Sequence, residues 1–147
     1  MSSRRWVVNA SPLILLGKIG RLDLLGSLAA SLAVPQSVIR EIGAGSESGA
    51  TAVATATWAQ ALAVADVPVP ASVAHWDLGA GDSQVIAHCL AGDCVAVLDD
   101  GEARACAQSH GLPLIGTLGI ILRARKQGLI LAPRALWSNR SCRQART

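Results

Sequence analysis

Residues 94–119 read CVAVLDDGEARACAQSHGLPLIGTLG, and the fold turns on how this stretch divides. Cys94 to Leu98 is a continuous apolar run with two valines. It is too short for a helix and apolar on both faces, which is how the central strand of a parallel sheet reads. Asp99-Asp100-Gly101 breaks the run and turns the chain into a helix from Glu102 to His110. Leu112 to Ile115 is a second short strand, and Leu118 to Gln127 a second helix stopped by Gly128. Strand, turn, helix, strand and helix in close succession make βα units rather than hairpins.

The same alternation runs back to the N-terminus. Trp6-Val7-Val8 is a β-prone run that stops at Asn9-Ala10-Ser11-Pro12. There Ser11 is a natural N-cap and Pro12 suits a first helical turn. Leu13, Ile14, Leu16 and Ile19 follow at helical spacing up to Gly20, and Leu22 to Leu28 forms a second short helix. Leu32 to Val34 is a brief strand, Pro35 starts a helix through Val38, Ile39 and Ile42, and Ser48 to Gln60 is an Ala-rich helix. Leu62 to Val69 alternates weakly and is bounded by Pro68 and Pro70, as an edge strand is. Gly79-Ala80-Gly81-Asp82 opens a helix carrying Val85, Ile86, Cys89 and Leu90, with Gly92 as its stop. Together these elements predict an α/β fold, a doubly wound parallel sheet with helices on both faces.

The bulk composition sets limits. A chain of 147 residues fits one domain, and a hydrophobic fraction of 51% supplies its core. With no Phe, no Tyr and four Trp, that core rests on aliphatic side chains. Binding of nucleic acid by stacking bases on exposed aromatics is disfavoured for the same reason. The uncharged stretch from Ser48 to Val64 is mostly Ala and Thr and contains Gln60, so it reads as a buried or half-buried helix and not as a membrane span. The first residues, MSSRRWVVNASP, lack a long apolar run before a cleavage site, and a cytoplasmic protein is expected. Cys89, Cys94, Cys106 and Cys142 form no C-x-x-C pair and the three histidines lack zinc-ligand spacing, so free thiols in a reducing compartment are expected.

Net charge is only +3, but it is unevenly spread. Beyond Glu102 the chain carries Arg104, Arg123, Arg125, Lys126, Arg134, Arg140, Arg143 and Arg146 with no acid. Such a distribution suits an anionic partner, a phosphate backbone or an acidic protein segment; it equally suits a solvated basic helix face with a basic tail over residues 133–147.

In open parallel sheets, ligands bind at the carboxyl ends of strands. Two strand ends here are polar, Asn9 with Ser11 and Asp99 with Asp100, and Asp82 and Glu41 sit on helices that flank the same edge. Asp82 stands at a helix start, where the macrodipole favours a carboxylate anyway. Glu41 stands in the last turn of its helix, where a negative charge is disfavoured, so its placement answers to something outside that helix. Carboxylates gathered at one edge repel one another, and a hard divalent cation such as Mg²⁺ or Mn²⁺ removes that cost. The fitting chemistry is phosphodiester hydrolysis. Each acid also has a plain structural reading: Asp82 as a cap, Asp99-Asp100 as a turn and cap, and Asp100 with Arg104 as a helix-surface ion pair.

The strings VVNASPLILLGKIGRLDLL, VPQSVIREI, LGAGDSQVIAHCLAG and VAVLDDGEARACAQSHGLPLIGTLGIILRARKQGLI, in that order, resemble the PIN-domain family, and in particular a prokaryotic subfamily akin to VapC toxins. The likeness spans residues 6 to about 130; it implies one PIN-like domain over 1–132, with 133–147 a basic C-terminal helix or tail. It further implies a Rossmann-like parallel sheet of about five strands and a metal-dependent ribonuclease. Carried over residue by residue, the early-helix acid falls on Glu41, the mid-chain acid on Asp82 and the strand-end acid on Asp100, with Asp99 in the alternative register. Ser11 matches the small hydroxyl residue two positions after the first acid. That first acid is where the chain departs: Asn9 keeps a carbonyl oxygen for a metal but brings no charge.

By this resemblance the chain is a Mg²⁺- or Mn²⁺-dependent endoribonuclease, the toxin of a toxin–antitoxin pair. Asn9, Glu41, Asp82 and Asp100 would serve as ligands, Asp99 would assist, and Ser11, Arg104, Thr117 and Arg123 would contact RNA. A small antitoxin is the implied partner and a homodimer is open. Asn9 motivates a second reading, a PIN-like module that has lost turnover and binds nucleic acid or protein. A third is a nucleotide-binding α/β protein using Gly79-Ala80-Gly81 as a phosphate loop, although no full G-x-G-x-x-G or P-loop is present.

Overall fold

The computed structural model describes residues 4–44 and 49–130. The expected basic tail over 133–147 lies outside them. Five strands, β1 (Arg5–Val8), β2 (Ser31–Pro35), β3 (Ala63–Val64), β4 (Val95–Val97) and β5 (Leu114–Ile115), pair in parallel in the order β3-β2-β1-β4-β5. β1 is central, with Trp6 opposite Leu32 on one side and Val95 on the other. Between the strands run α1 (Ala10–Lys18), α2 (Asp23–Leu28), α3 (Gln36–Ala44), α4 (Ala50–Gln60), α5 (Ala71–Ala74), α6 (Ala80–Gly92) and α7 (Gly101–Ser109), and α8 (Thr117–Lys126) closes the described chain. Right-handed crossovers leave a central strand in both directions, and so lay helices on both faces of the sheet.

The core is aliphatic, as the composition requires: Val7, Val8, Val34, Ala96 and Val97 from the strands, with Leu98 just past β4, meet Leu13, Leu16, Leu24, Leu25, Val38, Ile86 and Ile120 from the helices. Trp6 is fully buried, and its indole Nε1 has no hydrogen-bond partner among the described residues. α1 and α4 approach closely where Gly17 faces the Thr55 hydroxyl, with no room for a Cβ between them. Cys89, Cys94 and Cys106 are free and buried, and burial pushes each thiol above its ordinary pKa, so none is a ready nucleophile.

The structure corrects the local reading at four points. Ser11 lies inside α1, whose N-cap is Asn9. Pro35 ends β2, and α3 begins one residue later. The expected strand from Leu62 to Val69 shrinks to Ala63–Val64, because Val67 does not pair with a strand: its N–H and carbonyl bond the buried side-chain amide of Gln84 at 2.8 and 2.6 Å. Beyond that segment α5 forms a turn of helix that the sequence pattern did not announce.

Candidate active site

The chain progresses outward from β1 in one direction to β2 and β3, then returns beside β1 to place β4 and β5. The reversal leaves a crevice at the carboxyl ends of β1 and β4, the usual place for a ligand in such a sheet. Asn9 follows β1 directly and its backbone amide donates to the Val97 carbonyl at 3.1 Å, so the two strand ends stay in register up to the crevice. A groove of about 590 Å³ opens there, lined by Asn9, Ser11, Glu41, Asp82, Asp99 and Asp100 together with Ala10, Ile14 and Leu15. All the acidic positions expected from the sequence thus border one opening.

Within it the groups divide. Asn9 is buried, at 6% exposure, and its Nδ2 donates to Asp82 Oδ1. That bond fixes the amide orientation, since the reverse would set the carbonyl oxygen against a carboxylate. Asn9 Oδ1 is left buried with no partner among the described residues. Glu41 reaches across from the end of α3, and its Oε2 accepts the Gly81 N–H at 2.9 Å. Its position against the preference of its own helix is thereby explained: it answers the unpaired amides and positive end of α6. Gly81 is required for this approach, because a Cβ there would overlap Glu41 and stand 3.0 Å from Asn9 Oδ1. The Gly81 amide that a phosphate loop would offer is already taken, which counts against the nucleotide-binding reading.

Asp82 is the electrostatic centre of the set. Burial, the charge of Asp100 and that of Glu41 push its carboxyl above the ordinary value, and the Asn9 hydrogen bond pulls it back only in part. Asp100 is exposed and caps α7, accepting the Ala103 N–H at 3.0 Å. Asp99 is engaged elsewhere. Its two oxygens accept the Thr117 N–H at 2.7 Å and the Thr117 hydroxyl at 2.6 Å, fastening the end of β4 to the start of α8. Arg104 forms no ion pair with Asp100; its Nη1 donates to the Leu98 carbonyl at 3.0 Å. Arg104 and Arg123 line a second groove that shares Asp99 with the first.

Among the described residues, no three or more His, Cys, Asp and Glu side chains stand together as a metal-holding group. The unpartnered buried oxygen of Asn9, beside Asp82 and Glu41, is a hard donor of the kind divalent cations take. Of the two glycines that keep space for these side chains, Gly116 escaped the sequence reading, and Gly81 was read only as part of a possible phosphate loop. The available signal was a glycine at a loop-to-helix turn, Gly81 in the first turn of α6 and Gly116 at the cap of α8.

A crevice at the switch point of a five-stranded parallel sheet, rimmed by acids from α3, α6 and the turn between β4 and α7, defines a Rossmann-like α/β architecture with a candidate ligand site. The chain belongs to the PIN-domain family: the family model described as a PIN domain matches residues 5–138. Members of this family are commonly nucleases that use divalent metals. Among solved structures the chain is similar to PAE2754 from Pyrobaculum aerophilum, at a TM-score of 0.61 and 19% identity, over 82% of this chain and 89% of that one. At that identity the likeness speaks to the fold. No curated protein matches the chain. Among the described residues no helix is long and apolar enough to cross a membrane.

Proposed function

We propose that the protein is a metal-dependent endoribonuclease acting in the cytoplasm as the toxin of a toxin–antitoxin pair. The observation that carries this reading is the unpartnered Asn9 Oδ1, buried between Asp82 and Glu41 at the sheet's switch point. Asn9, Glu41, Asp82 and Asp100 would hold Mg²⁺ or Mn²⁺, which when bound supplies an activated water and charge neutralisation at the phosphate. Asn9 keeps Asp82 oriented through its Nδ2 while presenting its own oxygen to the same space. Glu41 is held by Gly81, so its carboxylate is preorganised and need not be ordered at the moment of binding. Asp99 acts one step removed, by fixing the start of α8 through Thr117. Ser11 lines the groove beside Asn9, and in this reading it touches the substrate backbone. The partner implied is a small antitoxin that covers the groove, and a homodimer is compatible with the exposed face of α4 at Val53.

The test is cleavage of single-stranded RNA with Mn²⁺ against EDTA. The wild type should cut only with metal, and Asp82→Asn and Asp100→Asn should each lose most of the rate. An Asp100→Asn rate equal to wild type would overturn the assignment. Asn9 also supports the second reading, a PIN-like binding module without turnover; RNA binding with no cleavage under any divalent metal would establish it.

A further inference from the structure

A groove of about 610 Å³ opens on the opposite edge of the sheet from the acidic crevice. It lies at the amino ends of β1 and β4, where Arg4 and Arg5 lead into one strand and Asp93 and Cys94 into the other. Because the two strands are parallel neighbours, groove and crevice stand at the two ends of one strand pair. Arg5 and Asn9 are about 13 Å apart at the rise of an extended chain. The charges of this groove are unspent. The side chains of Arg4 and Arg5 are exposed and make no hydrogen bond or ion pair among the described residues. The Asp93 carboxylate is exposed and equally unpaired, although it lines the same groove as both arginines. Its place goes against local preference: it caps the negative end of α6 and holds a left-handed backbone at φ 56°. Glycine suits that backbone best, yet the glycine stands one residue earlier, at Gly92. Burial pushes the Cys94 thiol up, Arg5 pulls it part of the way back and Asp93 raises it again, so both charges act on the sulfur at the groove. His88 is fixed at the wall. A carbonyl can only accept, so Nε2 donates to the Ala65 carbonyl at 2.9 Å, and Nδ1 is left without a partner among the described residues.

We propose that this groove binds a small sugar phosphate, free or as part of a mononucleotide, with its phosphate on Arg4 and Arg5 and its sugar hydroxyls on Asp93. Two adjacent guanidinium forks match the oxygens of a phosphate monoester. A plain anion would meet repulsion from Asp93. A ligand that is anionic at one end and carries hydroxyl donors at the other satisfies all three side chains at once, and explains why opposite charges share the groove without meeting. A carboxylate on ribose hydroxyls is the pairing by which α/β nucleotide sites hold a sugar. The volume falls in the range of small-molecule sites and suits a ligand of mononucleotide size. None of these residues borders the acidic crevice, so the assignment stands apart from the nuclease reading.

The probes are ribose phosphate, uridine monophosphate and inorganic phosphate, titrated calorimetrically into the full chain dialysed free of metal. Ribose phosphate should bind at one site, and more tightly than inorganic phosphate. Arg4→Gln and Arg5→Gln are exposed changes, and each should weaken it by roughly tenfold, the worth of one charge-assisted hydrogen bond. Asp93→Gly suits the left-handed backbone and keeps the helix end. It should weaken ribose phosphate and tighten inorganic phosphate, a crossing that a change of net charge does not give. A wild-type Tm in each variant separates loss of the site from loss of the fold. Tighter binding of uridine monophosphate than of ribose phosphate supports the mononucleotide form, and equal binding of the two supports the free sugar phosphate. Inorganic phosphate binding as tightly as either, or Asp93→Gly moving all three probes in one direction, overturns the sugar contact and the proposal with it. Binding that survives both arginine changes, or no binding of any probe at millimolar concentration, overturns it equally.

Discussion

Replacing Asn9 by Asp puts a full charge at the end of β1, and the surroundings of that position say what this should do to the metal-free protein. The change removes an amide donor bonded to the Asp82 carboxylate, in a position only 6% exposed. Losing a hydrogen bond to a charged acceptor costs about 1.5–3 kcal/mol. It also sets a second carboxylate against Asp82, a repulsion of at most about 4 kcal/mol at an effective dielectric near 20, which proton uptake relieves in part. A net loss of about 2–4 kcal/mol corresponds to a fall in Tm of roughly 5–12 °C for a chain of this size. Divalent metal reverses the sign of the substitution's effect on the site, because a full carboxylate binds the cation more tightly than an amide oxygen does. Saturation at about 100 times Kd adds about 2.7 kcal/mol. Thermal unfolding in EDTA and in a Mn²⁺ series therefore should show Asn9→Asp starting below wild type, beginning to rise at lower metal and gaining more at any given Mn²⁺ concentration. Equal Tm values in EDTA, or equal gains with Mn²⁺, would refute the placement of Asn9 against Asp82.

Other changes probe neighbouring parts of the molecule. Because the folded-state pKa of Asp82 is raised, by burial first and by Asp100 and Glu41 next, its contribution to stability is present below the ordinary Asp value of 3.8 and is lost as pH rises through its own titration. In EDTA the urea midpoint of wild type should thus fall relative to Asp82→Asn over that window, and a flat difference would count against the crowding of charge. Asp66 has the opposite sign. Burial raises it, but the Ser37 hydroxyl and amide and Arg40 outweigh burial and hold it below the usual range, so Asp66→Asn should cost stability at neutral pH and little in strong acid. Thr117→Val, which takes a hydroxyl from the Asp99 carboxylate, should lower stability by about 1–3 kcal/mol in urea unfolding while leaving Mn²⁺ affinity in place. Gly17→Ala forces a Cβ into the Thr55 hydroxyl between α1 and α4, and should cost about 1–3 kcal/mol although alanine favours the helix itself.

Much of the fold was legible because its signals are local. Cys94 to Leu98 reads as a buried strand from its own composition, and β4 forms there. The turn from strand to helix at Asn9 is equally local, although the cap falls on Asn9 and not on Ser11. What failed depended on contacts far apart in sequence. Leu62 to Val69 lost most of its strand to the side chain of Gln84, and no period within that segment announces a glutamine from a later helix. The acids of the site were found as types at strand ends and helix ends. Their division of labour was not, because it is set by Gly81 for Glu41 and by Thr117 for Asp99. The one distant contact with a visible signal was Glu41, whose unfavourable place in its own helix pointed outward.

Trp6 has an optical consequence. In a chain without Tyr or Phe, all near-ultraviolet absorption and emission from aromatic side chains comes from tryptophan. Trp6 is fully buried, its indole N–H is unbonded among the described residues, and it stands in the central strand that ends at Asn9. An indole so shielded emits at shorter wavelength than one in water, whereas Trp58 and Trp76 are only partly buried against the core. The strand that leads into Asn9 thus holds a chromophore of its own, and the integrity of the sheet beneath the crevice is open to spectroscopy without a label.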